Sequence, residues 1–252
     1  MINDLLNITH QAGQLVSSIY QQPSLKVQIK NDHSVLTEAD MASHHFICEA
    51  LQNFHSDIPI ISEESSEQYP YEVRKNWEYF FLVDPLDGTK EFLQRNGEFT
   101  INIALIRKSK PILGIIHAPA LGLTYYAEEN SGAYKLAGNT LKKLLPLVNN
   151  SNTLRVAVSR SHACEKTKNY LNSLISQGRK IEILSMGSSL KFGMIAEGKA
   201  DIYPRFAPTM EWDTAAGHVI VKEVGKKITL FSSNEQLEYN KNTLFNPGFI
   251  VT

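Results

Sequence analysis

Cysteine is scarce. The 252-residue chain has two, Cys48 and Cys164, far apart and in no C-x-x-C pair. This argues against a disulfide framework or a zinc-thiolate site and makes a reducing cytoplasm the expected compartment. An excess of one charge is also missing. With 25 Lys and Arg against 26 Asp and Glu, no global basic field exists to hold an extended nucleic acid. The start, Met1-Ile2-Asn3-Asp4, lacks a basic region and a long apolar run, so no signal peptide is expected. The densest apolar stretch, 79–83, is far too short to span a bilayer. There is no G-x-x-x-x-G-K-[ST], which excludes a P-loop kinase. What remains is 42% apolar and 20% charged, a globular composition with enough chain for one large domain or two small ones.

The hydrophobic spacing gives the coarse plan. Leu5, Ile8, Ala12, Leu15, Val16 and Ile19 recur at helical intervals. Residues 25–29 alternate and predict a half-buried strand, with a polar turn at 31–34. Thr37-Glu38-Ala39-Asp40 starts a capped helix, with Phe46, Ala50, Leu51 and Phe54 at helical spacing behind it. Residues 58–61 form a short strand ending in Ser62-Glu63-Glu64, and a polar loop spans 65–76. Residues 77–83 form a strand buried on both faces. Further strands are expected at 99–106, 112–117 and 123–127, with a hairpin at Asn130-Ser131-Gly132. The polar stretch 148–152 marks a boundary between halves 1–150 and 151–252. Beyond it come strands at 154–158 and 181–184, helices at 164–175, 188–196 and 213–224, and a last strand at 249–251. The expected class is a layered α/β sandwich in two halves, with chemistry in the cleft between them.

Three carboxylates follow strand ends: Glu63, Asp84 and Asp87. In Asp84-Pro85-Leu86-Asp87-Gly88-Thr89, Pro85 fixes φ and Gly88 permits a tight turn, so both acids can aim at one point. Either Asp alone reads as a strand end or a helix cap. With Glu63 on a neighbouring strand, three anions meet, and a cation resolves their repulsion. Oxygen ligands without clustered His or Cys favour Mg²⁺. The Leu86 carbonyl can also face the ion. Asp213, in Glu211-Trp212-Asp213-Thr214-Ala215-Ala216-Gly217, reads as a helix N-cap, and Asp40 as part of a capping box.

These three motifs together, in this order and spacing, resemble the lithium-sensitive, magnesium-dependent phosphatases of the inositol monophosphatase superfamily. Within it the chain is most similar to the CysQ-type 3′(2′),5′-bisphosphate nucleotidases. That similarity rests on Arg95-Asn96-Gly97-Glu98-Phe99-Thr100, Ser159-Arg160-Ser161-His162, Gly187-Ser188-Ser189-Leu190-Lys191-Phe192 and Tyr203-Pro204-Arg205-Phe206. One departure is Ala207, where close relatives often have Gly. The resemblance implies an αβαβα arrangement of two halves around a metal cleft. It implies hydrolysis of 3′-phosphoadenosine 5′-phosphate to AMP and phosphate, clearing a by-product of sulfate assimilation.

It also implies that Glu63, Asp84, the Leu86 carbonyl, Asp87 and Asp213 hold two or three Mg²⁺. Asp40 and Thr89, with Glu63, would activate the attacking water. Gly88 and Thr89 would open a helix towards the phosphate. His162, Ser188, Lys191 and Arg205 would join Glu63, Leu86, Asp87, Gly88, Thr89 and Asp213 in binding substrate. The implied partner is a small nucleotide bisphosphate, the expected assembly a monomer or homodimer. Peripheral contact with the inner membrane's cytoplasmic face stays open. The same metal site would serve an inositol monophosphatase or a fructose-1,6-bisphosphatase. A non-catalytic nucleotide sensor is the alternative from another class.

Overall fold

The computed structural model describes residues 1–29, 35–146, 151–161 and 164–252. The predicted 31–34 turn and most of the 148–152 boundary lie outside these residues. Helix α1 (Ile2–Tyr20) follows the first apolar stripe closely. The short strands β1 (Val27–Ile29) and β2 (Val35–Thr37) pair only with each other. The expected half-buried strand is therefore corrected: Val27, Gln28 and Ile29 are all exposed, whereas the helix packing on this ribbon falls on β2. Helix α2 (Glu38–Phe54) starts on the expected capping box, with the Thr37 hydroxyl accepting from Ala39 N–H and Asp40 accepting from Thr37 N–H.

A seven-stranded sheet forms the larger layer. In spatial order it runs β3 (Ile60–Ser62), β4 (Tyr79–Asp87), β5 (Thr100–Arg107), β6 (Lys110–Ala118), β7 (Leu123–Glu128), β8 (Gly132–Ala137) and β9 (Thr140–Leu144). Only β3 and β4 are parallel. The polar segment after β3 is not all loop: it coils as a 3₁₀ turn over Glu63–Gln68 and as the one-turn helix α3 (Tyr71–Arg74). β4 is buried on both faces, as its near-continuous apolar run predicts. Phe81, Val83 and Leu86 pack with α1 and α2, whereas Phe80 and Leu82 belong to the opposite cluster. A short helix, α4 (Thr89–Leu93), follows β4.

The opposite face is covered by α6 (Leu190–Ala196) and α7 (Glu211–Lys222), placed after β10 (Thr153–Ser159), α5 (Glu165–Ser176) and β11 (Lys180–Met186). β10 and β11 pair in parallel, and an isolated bridge joins Val156 to Ile202 beside β12 (Tyr203–Arg205). β12 pairs with β16 (Phe249–Val251), which pairs with β14 (Ile228–Leu230); β13 (Thr209–Met210) pairs with β15 (Phe245–Asn246). The layers alternate helices, sheet, helices, smaller sheets, and α5 outside. Small residues let α7 lie against the large sheet. A Cβ on Gly114 of β6 would come within 2.4 Å of the Ala216 carbonyl oxygen, and no rotamer relieves a clash with backbone. Among the described residues no helix is long and apolar enough to cross a membrane.

His218 sits inside this helix–sheet layer, 6% exposed and 3.1 Å from the Tyr239 hydroxyl. Burial pushes its pKa down to about 4. A base with a lowered folded pKa is protonated first in the unfolded chain. It therefore favours unfolding as pH falls from about 6.5 towards 4. In His218→Gln, the stability change between pH 7 and pH 5 should be about 2 kcal/mol more favourable than in wild type. Denaturant unfolding at both pH values checks this; parallel pH dependence would show that His218 is not the buried neutral base.

Candidate active site

A cavity of about 430 Å³ lies where the large sheet, α6 and α7 meet. It is lined by Glu63, Asp84, Leu86, Asp87, Gly88, Thr89, Ser188, Lys191, Arg205 and Asp213. Residues from five separate stretches of sequence, each singled out by motif, thus share one cleft. Asp40 stands behind Thr89, whose hydroxyl lies 3.4 Å from Asp40 Oδ1 and 3.5 Å from the Leu86 carbonyl oxygen. His162 lies outside the described residues. Glu63 lines the cleft, while Glu64 faces Asp40 electrostatically.

β4 does not stop at Asp84. It continues to Asp87, but its register against β5 shifts between these two acids. Pro85 removes one ladder donor there, and the Leu86 N–H turns inward to donate to Asp84 Oδ1 at 3.1 Å. Gly88 then takes φ +90° as N-cap of α4, a left-handed turn that glycine adopts without Cβ strain. Asp87 therefore ends the bulged strand and is not the cap. Asp213 is likewise not the N-cap: α7 starts at Glu211, and Asp213 sits in its first turn, accepting from Met210 N–H at 2.8 Å.

Burial pushes the Asp84 pKa well up, and the charges of Glu63, Asp87, Asp213 and Asp40 push it further. Asp213 is raised for the same reasons, burial first and then Asp87. Burial also raises Asp40, to about 6, against the pull of its Thr37 hydrogen bonds. Such mutual repulsion among oxygen-only donors is the chemistry that a hard divalent cation offsets, so the donor set fits Mg²⁺. Among the described residues, no three His, Cys, Asp or Glu side chains are gathered tightly enough to hold a metal as they stand. Instead Asp87 Oδ2 accepts from both Ser188 and Ser189 hydroxyls at 2.7 Å.

The same cleft also carries cations. Lys191 is 3% exposed. Its ammonium donates to the Ser188 and Met186 carbonyls and lies 5.4 Å from the Tyr203 ring centre. Burial lowers its pKa to about 8, although Asp87, Glu91 and Glu98 hold it up. Arg205 donates to the Pro208 carbonyl, and its buried Nε has no hydrogen-bond partner. Ser188, the expected first residue of the helix 188–196, lies before α6, whose N-cap is Ser189. Ser188 takes φ +52°, a strained turn for a residue with a Cβ. Lys191 grips its carbonyl, and Glu98, held by Arg160 through two 2.7 Å bonds, accepts the Gly187 N–H.

Sequence reasoning assigned no role to Ser189, Thr100, Asn102 or Glu91. The Asn102 amide donates to Ser189 Oγ at 3.0 Å, and that hydroxyl reaches Asp87 Oδ2 or the Asp213 carbonyl. Ser189 thereby ties the acids of β4 and α7 together. Glu91, 3% exposed, lines the cleft and accepts from Ser161. Thr100 and Asn102 are buried polar residues two apart on an otherwise apolar strand, a signal that was present in the sequence.

The chain is similar along its whole length to known proteins. The 3′(2′),5′-bisphosphate nucleotidase CysQ of Salmonella typhimurium is 41% identical over 254 residues, covering 100% of this chain and 99% of that protein. The Escherichia coli K12 protein of the same name is 40% identical with the same coverage. Among solved structures, CysQ from Bacteroides thetaiotaomicron superposes with a TM-score of 0.87 at 40% identity, covering 99% of this chain and 96% of that one. A Thermotoga maritima IMPase superposes with a TM-score of 0.80 at 25% identity, covering 100% and 91%. The inositol monophosphatase family model matches residues 3–252, a range that holds every acid of the cleft, so the chain belongs to the inositol monophosphatase family.

Proposed function

We propose that this chain is a magnesium-dependent 3′(2′),5′-bisphosphate nucleotidase that hydrolyses 3′-phosphoadenosine 5′-phosphate to AMP and phosphate. Membership of the family implies metal-dependent catalysis. The observation that carries the finer reading is a single cleft lined both by acids and by two cations, Arg205 and the buried Lys191. It suits a substrate with two phosphates, one reacting and one held. The relatives named CysQ, similar over their whole length, support the nucleotide as that substrate.

Glu63, Asp84, the Leu86 carbonyl, Asp87 and Asp213 would hold two or three Mg²⁺. When bound, Mg²⁺ supplies charge neutralisation and Lewis acidity at the phosphate and water oxygens. Thr89 directs its hydroxyl hydrogen at Asp40, which leaves its lone pairs to receive a hydrogen from the attacking water. Asp40 holds that hydroxyl in place from the start of α2. Ser188 and Ser189 fix the Asp87 carboxylate. Lys191 and Arg205 pair with the second phosphate, Arg205 with the better geometry for a two-pronged contact. In this reading residues 1–150 form the half with most metal ligands. Residues 151–252 carry Asp213 and the substrate-selecting residues. Two free thiols, Cys48 and Cys164, suit a cytoplasmic enzyme.

Phosphate release with Mg²⁺, compared across 3′-phosphoadenosine 5′-phosphate, inositol 1-phosphate and fructose 1,6-bisphosphate, tests the substrate. The nucleotide should show the highest kcat/KM. A higher value for either other phosphate would keep the chemistry and reject the substrate. Nucleotide binding without hydrolysis would replace the enzyme with a sensor.

A further inference from the structure

A second cavity, of about 670 Å³, opens along α5 and takes no part in the mechanism above. Its walls are aromatic. Phe206 and Phe231 meet at 4.7 Å between ring centres and 63° between planes. Tyr170 of α5 meets them at 5.5 Å and 6.0 Å, also edge-to-face. Phe231 is 56% exposed, a large apolar ring facing water. Asn169, Ser173 and Ser232 supply amide and hydroxyl groups around the same cavity.

We infer that this aromatic slot takes the purine base of the substrate; the inference rests on the nucleotide reading of the cleft. Three observations support it. First, the walls of the slot and of the catalytic cleft are neighbours along the chain at Arg205 and Phe206. Arg205 lines the cleft, the next residue, Phe206, lines the slot, and Cys164, which begins α5, feels the Arg205 charge. A phosphate on Arg205 would sit one residue along the chain from the slot's Phe206 wall. Second, the Arg205 Nε has no protein partner, so that side chain has donor capacity for an anion. Third, among the described residues the aromatic side chains lining the cleft are Phe192, Tyr203 and Trp212, and all are at most 4% exposed. None offers a free face to a base, whereas the slot does. Aromatic stacking accepts any base, and the polar groups around the slot can meet the ring nitrogens of a purine.

The test uses the full chain and the variants Phe231→Ala, Tyr170→Ala and Phe231→Trp. Calorimetry without divalent metal measures AMP and, as the probe lacking a base, ribose 5-phosphate. Phe231→Ala and Tyr170→Ala should each weaken AMP about tenfold, leave ribose 5-phosphate unchanged, and be matched by a similar rise in KM for 3′-phosphoadenosine 5′-phosphate with kcat preserved. Phe231→Trp should retain AMP binding, and turnover of inositol 1-phosphate should not change in any variant. Unchanged AMP affinity in both alanine variants, with wild type binding AMP, would overturn the slot assignment alone. Wild type that neither binds AMP nor hydrolyses the nucleotide would overturn the nucleotide reading itself.

Discussion

Replacing Asp84 by Asn is expected to lower kcat by about a thousandfold or more and, in chelator, to make the folded chain more stable. Both effects have one source. Asp84 is 1% exposed, and its ionised form is opposed by burial and by Glu63, Asp87, Asp213 and Asp40. The amide keeps the shape and can keep the Leu86 N–H bond through its oxygen. It removes a charge that the fold tolerates only for function. Relief of a buried, repelled carboxylate is worth about 1–3 kcal/mol. A raised folded pKa makes this penalty largest above that pKa, and it shrinks as Asp84 takes up a proton on acidification. The stability advantage of Asp84→Asn should therefore narrow as pH falls. Unfolding in EDTA at several pH values, with phosphate release in Mg²⁺, measures both halves. Activity within tenfold of wild type would remove Asp84 from the ligand set. Lower stability in chelator would mean that the acids do not repel.

Thr89→Val should give the second largest effect, a fall in kcat of about a hundredfold to ten-thousandfold with little change in KM. Valine fills the same space but removes the hydroxyl between Asp40 and the cleft. Thr89→Ser should retain most activity. Asp40→Asn should resemble Thr89→Val, because Asp40 acts through that hydroxyl. The double variant should then be little worse than either single one, the pattern of residues working as a unit. Steady-state kinetics on the three variants and the double decides it. A Thr89→Val enzyme with near-normal kcat would assign water activation elsewhere.

Much of this site was legible because its chemistry is written in short contiguous motifs. The two aspartates around Pro85 sit on a bulged strand end, and the long apolar run before them marked that strand as buried. The position of Glu63 beside them follows from β3 pairing with β4 in parallel. Spacing alone misplaced two helix starts: Asp213 lies three residues after the N-cap Met210, and Ser188 one residue before the N-cap Ser189. Strands β12, β13 and β15 were missed because two or three residues carry no periodicity. The apolar alternation of residues 25–29 suggested burial that reaches Leu25 but not Val27 or Ile29. Ser189 was quoted in a motif without a role, since its importance comes from Asn102 and Asp87, distant in sequence. The aromatic slot was invisible for the same reason. Tyr170, Phe206 and Phe231 belong to α5 and to the ends of two strands, and nothing local links them.

The central claim is that the acids of the cleft work through a divalent cation on a nucleotide phosphate. The most direct measurement is phosphate release from 3′-phosphoadenosine 5′-phosphate by the wild-type chain, with Mg²⁺ and then with EDTA. The expected result is turnover that EDTA abolishes and added Mg²⁺ restores. Undiminished turnover in EDTA would contradict it, because repelled carboxylates around Asp84 would then be catalysing without the cation that their arrangement demands.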